Sequence, residues 1–269
     1  MKFGVILPGG DAAEQLEQAV LAEESGWDGV FVWEAPYGVD AWGLLSAMAV
    51  RTSRVRLGTM LTPLPWRRPW KLASQVVTLD QLSNGRAMLA VGVGATDLAE
   101  SREEVDLRTR AAMMDEGIDL MRELWAGRFS YHGKYYDFES DHPDNVLSIG
   151  RPVQERIPIW VVGVWPRPKS MRRVLRCDGV LPQYSTGEGS PAELRDLRTW
   201  LAEHGAPAEL DVMAEGETPT DDPGAAAAQV TPWAEAGATW WMETRWGNPQ
   251  HTPDRMQQVR DRLAAGPPR

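Results

Sequence analysis

From end to end the chain alternates short apolar runs with longer amphipathic stretches, which restricts it to folds assembled from β-strand and α-helix units. The runs Phe3–Leu7, Gly29–Trp33, Val55–Thr59 and Arg86–Val91 read as buried strands in the first half. Pro158–Val162, Gly179–Leu181, Leu210–Ala214 and Thr239–Met242 supply four more. Between them lie helical stretches with recognisable ends. Asp11 with Glu14 reads as a capping pair and Gly26 as a stop, while Asn84-Gly85 ends a stretch from Trp70 to Leu82. Ser190-Pro191, Asp222-Pro223 and Thr252-Pro253 combine a cap with a proline in the first turn. The clearest amphipathic helix runs from Asp106 to Trp125, with Ala111, Met114, Ile118, Met121 and Trp125 on one face.

Strands that alternate with helices pair in parallel through right-handed crossovers. A closed barrel and an open doubly wound sheet both satisfy the pattern, and even spacing favours the barrel. Phe129–Gly150, after the fourth helix, is polar, aromatic and aperiodic, and is expected to be an ordered excursion outside the barrel repeat. No composition shift divides the chain, so residues 1–269 are expected to form one domain with a frayed Gly-Pro-Pro-Arg tail.

A length of 269 residues suits one α/β barrel, typically ~250 residues. The formal charge of −10 and pI near 5.0 argue against nucleic acid and anionic membrane as partners. Cys177 is the only cysteine, which excludes an intrachain disulfide and fits a reducing compartment. No stretch stays apolar for the ~18 residues that a spanning helix needs. With no basic leader ahead of the first strand, the expected location is cytoplasmic. Thirteen tryptophans against four phenylalanines is the one unusual count, so the placement of the tryptophans becomes a question for the fold.

Three stretches carry a family resemblance: Leu57-Gly58-Thr59-Met60-Leu61-Thr62-Pro63-Leu64-Pro65, Arg67-Arg68-Pro69-Trp70-Lys71-Leu72-Ala73 and Thr78-Leu79-Asp80-Gln81-Leu82-Ser83-Asn84-Gly85-Arg86. Together they resemble the third strand and following helix of the bacterial luciferase-like monooxygenases. Ala22-Glu23-Glu24-Ser25-Gly26-Trp27-Asp28, Val91-Gly92-Val93-Gly94, Pro158-Ile159-Trp160-Val161-Val162-Gly163 and Cys177-Asp178-Gly179-Val180 agree with further segments in the right order. The resemblance implies a (β/α)8 barrel that uses FMN, or the related deazaflavin coenzyme, for monooxygenation or hydride transfer.

In such barrels the chemistry sits at the C-terminal ends of the strands. Gly163-Val164-Trp165 is the expected phosphate site, because a glycine admits the phosphate to the backbone and the next helix start can donate N–H groups. Arg167 and Lys169 lie near enough to add charge. Gly92 and Gly94 are expected to leave a flat surface for a ring, and Thr59 and Met60 to form a backbone bulge behind it. Trp33, Trp66, Trp165 and Trp246 fall at or after strand ends and are expected to wall a substrate pocket. Of the adjacent Trp240 and Trp241, one must face inward. Glu34 and Glu243 end apolar strands and are the expected acid–base groups, Glu243 with the stronger claim. His132, His142, His204 and His251 show no metal-ligand spacing and are expected to be solvated or capping.

Many luciferase-like enzymes place a histidine after the second-strand glutamate, where it assists oxygen chemistry. This chain has Glu34-Ala35-Pro36. The leading expectation is an oxidoreductase or monooxygenase using reduced FMN, supplied by a separate flavin reductase, on a small organic substrate. The alternatives are deazaflavin-dependent hydride transfer and a flavin-binding barrel without catalysis. A homodimer is the expected assembly.

Overall fold

In a computed structural model, residues 1–94, 106–140, 150–244 and 253–269 are described. The first half runs β1 (Lys2–Ile6), α1 (Ala12–Glu24), β2 (Gly29–Val32), α2 (Ala41–Arg51), β3 (Arg56–Pro63), α3 (Pro69–Leu82), β4 (Ala87–Gly92) and α4 (Leu107–Trp125). A small antiparallel hairpin of β5 (Ser130–His132) and β6 (Asp137–Glu139) follows. The second half runs β7 (Ile159–Trp165), α5 (Pro168–Val174), β8 (Gly179–Tyr184), α6 (Pro191–Glu203), β9 (Asp211–Gly216), α7 (Pro223–Glu235), β10 (Trp240–Thr244) and α8 (Pro253–Ala264).

Eight parallel strands close in the order β1-β2-β3-β4-β7-β8-β9-β10, with Gly4 opposite Gly29 on one side of β1 and Lys2 opposite Trp240 on the other. The chain therefore forms the expected (β/α)8 barrel. The predicted caps are in place: Asp11 accepts the Glu14 N–H at 2.8 Å, Ser190 that of Glu193 at 3.3 Å and Asp222 that of Ala225 at 2.9 Å. Each such cap stabilises by about 1 kcal/mol. Thr252 lies outside the described residues.

The described part of the excursion forms a hairpin outside the barrel sheet, as its pattern predicts. Its hairpin is held by α4, where the Glu116 carboxylate accepts the N–H groups of Lys134, Tyr135 and Tyr136. The chain returning to β7 is held by the buried Asp80 of α3, which accepts from the Val153 and Gln154 N–H groups at 2.7 and 3.0 Å. Residues 141–149 of the excursion, with His142, lie outside the described residues.

Two hydrophobic layers result from strand alternation. One lies between strands and helices; the other fills the barrel with Ile6, Phe31, Trp160, Met213, Trp240 and Met242 among its members. Phe31, Trp160 and Trp240 form a cluster, the two indoles 5.4 Å apart at 73°. Their room comes from strand glycines, since a Cβ on Gly179 would fall 2.4 Å from the Trp160 ring and one on Gly29 3.1 Å from Trp240. Neither indole N–H has an acceptor among the described residues. That costs about 1–3 kcal/mol each, less than the roughly 4–6 kcal/mol gained by burying so large a ring. Trp241 points the other way, toward Trp233 of α7. No helix among the described residues is long and apolar enough to cross a membrane.

Candidate active site

The barrel opens at the strand C-termini into a cleft of about 1280 Å³. Its inner surface is set by alternation. On β7, Trp160 and Val162 face the lumen, so Val164 faces the mouth; on β8 Leu181 leads to Gln183, and on β9 Met213 leads to Glu215. Leu61 and Gly92 complete this layer from β3 and β4.

Leu61 reaches the mouth because β3 is irregular. Thr59 pairs with Leu89 and Thr62 with Val91, so three steps along β3 face two along β4. The bulge expected at Thr59 and Met60 is present, and the Met60–Leu61 peptide is cis. Met60 drops into the lumen layer, and Leu61 packs on Gly92, where a Cβ would lie 2.9 Å from both Leu61 methyls. Behind the bulge the Thr62 hydroxyl donates to Glu34 at 2.7 Å and lies 2.9 Å from the Thr59 hydroxyl.

Glu34 is consequently not the free acid or base that its position in the sequence suggests. Its carboxylate is ion-paired with Arg67 and also accepts from Thr62 and, at 3.3 Å, from the Trp42 indole. It braces β2 against β3. Glu243, the other expected acid–base group, is further from such a role. Trp240 and Met242 face the lumen, so Glu243 faces outward, 1% exposed, toward α8. There it accepts the Thr218 N–H and hydroxyl, both at 2.8 Å, and the Trp241 indole N–H at 3.2 Å, and it lies 3.3 Å from the Arg262 guanidinium. A group so placed supports the wall and cannot reach a ligand in the mouth.

A further strand-end carboxylate, not among the residues expected from sequence, is Glu215. Glu215 lines the cleft, with no hydrogen bond or ion pair to any described residue. Its side chain is accessible through the cleft, and partial desolvation by the surrounding wall raises its pKa. The available signal was its parity with Met213, two residues earlier on a strand whose inward face is apolar.

The predicted phosphate turn also moves. Gly163, Val164 and Trp165 are the last residues of β7 and not a turn after it, and they pair with Pro182, Gln183 and Tyr184 of β8. Gly163 faces out: a Cβ there would lie 2.7 Å from Val180 and 3.0 Å from Val174, so its bareness lets α5 pack close. Trp165 also faces out and meets Trp200 of α6 edge-on at 6.1 Å. Only Val164 of the three lines the cleft, together with Arg167.

The tryptophans do not gather into one wall. Trp33 borders a separate notch of about 90 Å³ with Gly10, Val39 and Leu44. Trp66 lies across Gly94, which has φ +80° and whose Cβ would sit 2.8 Å from the indole. Trp246 and His251 lie outside the described residues. His132 pairs with Asp137 in the hairpin, and His204 stacks on Trp200 at 3.9 Å.

The opposite wall of the cleft is basic. Arg108 of α4 and Arg167, Lys169 and Arg172 around the start of α5 line it, and the last three carry no ion pair with any described residue. Arg173 beside them is occupied by Asp115 at 2.9 Å. In a protein of net charge −10, uncompensated cations along one wall make a site for an anionic group. An anionic ligand with an apolar part suits this arrangement of cations and apolar residues.

Comparison with known proteins agrees with the geometry. A sequence profile described as luciferase-like monooxygenase matches residues 1–266. Over 135 residues the chain is 39% identical to the F420-dependent glucose-6-phosphate dehydrogenase of Amycolatopsis mediterranei, covering 45% of this chain and 40% of that one. Over 250 residues it is 32% identical to the enzyme of the same name from Rhodococcus erythropolis, covering 84% and 70%. Against the first of its curated relatives the chain spans about half their length. A solved monooxygenase from Streptomyces bottropensis superposes with TM-score 0.76 at 20% identity over 98% of each chain, which shows the shared fold.

Proposed function

The chain belongs to the luciferase-like monooxygenase family, and we propose that within it this protein is an oxidoreductase that uses the deazaflavin coenzyme F420 on a small organic substrate. The observation that carries the reading is the cleft itself: an apolar floor where Leu61 packs over Gly92, and a wall lined by the unpaired cations Arg167, Lys169 and Arg172 around the start of α5. Relatives named for F420 favour the deazaflavin over FMN. Ala35, where many family members carry the histidine that assists oxygen chemistry, supports the same choice.

Bound there, a deazaflavin supplies a carbon centre that accepts or gives a hydride. Arg167, Lys169 and Arg172 would meet its phosphate-bearing chain, with charge-assisted hydrogen bonds worth about 1.5–3 kcal/mol each. Leu61, held forward by the bulge and by Glu34 behind it, would support the ring. Val162 and Val164 would add apolar surface to the same cleft and help exclude water from it.

The test is spectrophotometric. Purified protein mixed with F420 and a panel of secondary alcohols, aldoses and sugar phosphates should reduce the coenzyme with at least one substrate. Consumption of oxygen with reduced FMN, and no change with F420 across the panel, would favour the monooxygenase reading instead.

A further inference from the structure

We propose that Glu215 is the catalytic residue that exchanges a proton with the substrate heteroatom during hydride transfer. The inference deepens the reading above and rests on it. Among the described residues three carboxylates, Glu34, Glu215 and Glu243, lie at or just past barrel-strand ends, and two have partners that fix them as structural. Glu34 is bound by Arg67, Thr62 and Trp42; Glu243 faces away from the mouth and is bound by Thr218 and Arg262. Glu215 has no such partner among the described residues and faces the cleft directly above Met213.

Its surroundings suit proton exchange. Its register partner on β10 is Met242, which lies in the apolar lumen layer, and β8 contributes Pro182, Gln183 and Tyr184 to the cleft. The cleft's cations belong to α4 and to the segment around α5; its other lining carboxylates are Asp115 on α4 and Glu188 between β8 and α6. Desolvation raises the pKa of Glu215, toward the range where a carboxyl group both takes and gives a proton. In oxidation of an alcohol, the C–H hydrogen would leave with its electron pair as hydride, for which a bound deazaflavin would supply the acceptor. The O–H bond breaks with its proton passing to the Glu215 carboxylate, and the C=O bond forms. In reduction the protonated Glu215 returns that proton to the oxygen.

The test uses the full chain, Glu215→Gln, Glu215→Asp and two readouts. In turnover with F420, Glu215→Gln should lower kcat by roughly 10²–10⁴-fold, with F420 affinity within threefold of wild type and partial recovery in Glu215→Asp. Turnover within threefold of wild type would overturn the proposal. A loss of F420 affinity as large as the loss of turnover would do the same, because Glu215 would then be holding coenzyme. The second readout is infrared difference titration of the coenzyme-free protein, wild type minus Glu215→Gln. It should isolate one carboxyl group titrating above an ordinary glutamate. Titration in the ordinary range would overturn the proposal even if F420 fails to bind; a failure of F420 to bind beside a raised titration would count against the coenzyme reading alone.

Discussion

Thr218 grips Glu243 with both of its donors, N–H and hydroxyl each 2.8 Å from the carboxylate, and Arg262 closes the group on the outer face of the barrel. A charge this deeply enclosed is costly to leave unpaired. Arg262→Ala should therefore destabilise the fold by about 3–5 kcal/mol, measured by denaturant unfolding. Coenzyme affinity of the folded protein should stay unchanged. A catalytic Glu243 would give the opposite pattern, with intact stability and lost turnover in Glu243→Gln.

Gly92 and Gly163 end up with opposite duties, and one substitution separates them. In Gly163→Ala the new methyl meets Val180 at 2.7 Å on the outer face, so stability should fall by about 1–3 kcal/mol with little effect on coenzyme affinity. In Gly92→Ala it meets Leu61 in the cleft, so coenzyme binding should weaken at least tenfold. Thermal melts and ligand titrations of the two variants, side by side, check both.

The strands and the order of the barrel were legible because buried alternation is periodic and the caps are local. The facing of the strand ends was harder to read. A carboxylate closing an apolar run looks the same whether it points into the mouth, like Glu215, or away from it, like Glu243. Parity with a known inward residue decides, and Trp240 beside Trp241 leaves that parity ambiguous in sequence. Gly163 misled for a related reason: a glycine near a strand end signals close approach without saying from which side. The bulge at Met60 and Leu61 came from the family resemblance, since no local pattern marks a change of register.

The cationic wall predicts a salt-sensitive site. Arg167→Ala, Lys169→Ala and Arg172→Ala should each weaken binding of a phosphate-bearing coenzyme by about tenfold. Wild-type affinity should decline as ionic strength rises from 0.01 to about 0.15 M, where screening shortens to ~8 Å. Isothermal titration at several salt concentrations measures both effects.

Glu215 ties function to stability. Because burial raises its pKa, the folded state holds the proton more tightly than the unfolded chain does. The contribution is complete below the ordinary carboxyl range and is lost as pH rises through the folded value. Glu215→Gln should thus raise Tm at pH 8 and change it little at pH 4. Equal shifts at both pH values would mean that the carboxyl titrates normally.

Cys177 offers a probe of global opening. It is buried, and desolvation pushes its thiol up to about 12. Thiol reagents at pH 8 should label it only as fast as the protein unfolds. The preference for the protonated thiol also means that stability falls as pH climbs from about 9 toward 12.

The choice of coenzyme is the centre of the account, and equilibrium titration of the purified protein with F420 and FMN in parallel tests it most directly. Intrinsic fluorescence, read from a chain with 13 tryptophans, reports both ligands. The account predicts saturable F420 binding at least tenfold tighter than FMN, weakened by salt and by Gly92→Ala. FMN binding tighter than F420, or F420 binding indifferent to Gly92→Ala and to salt, would contradict it.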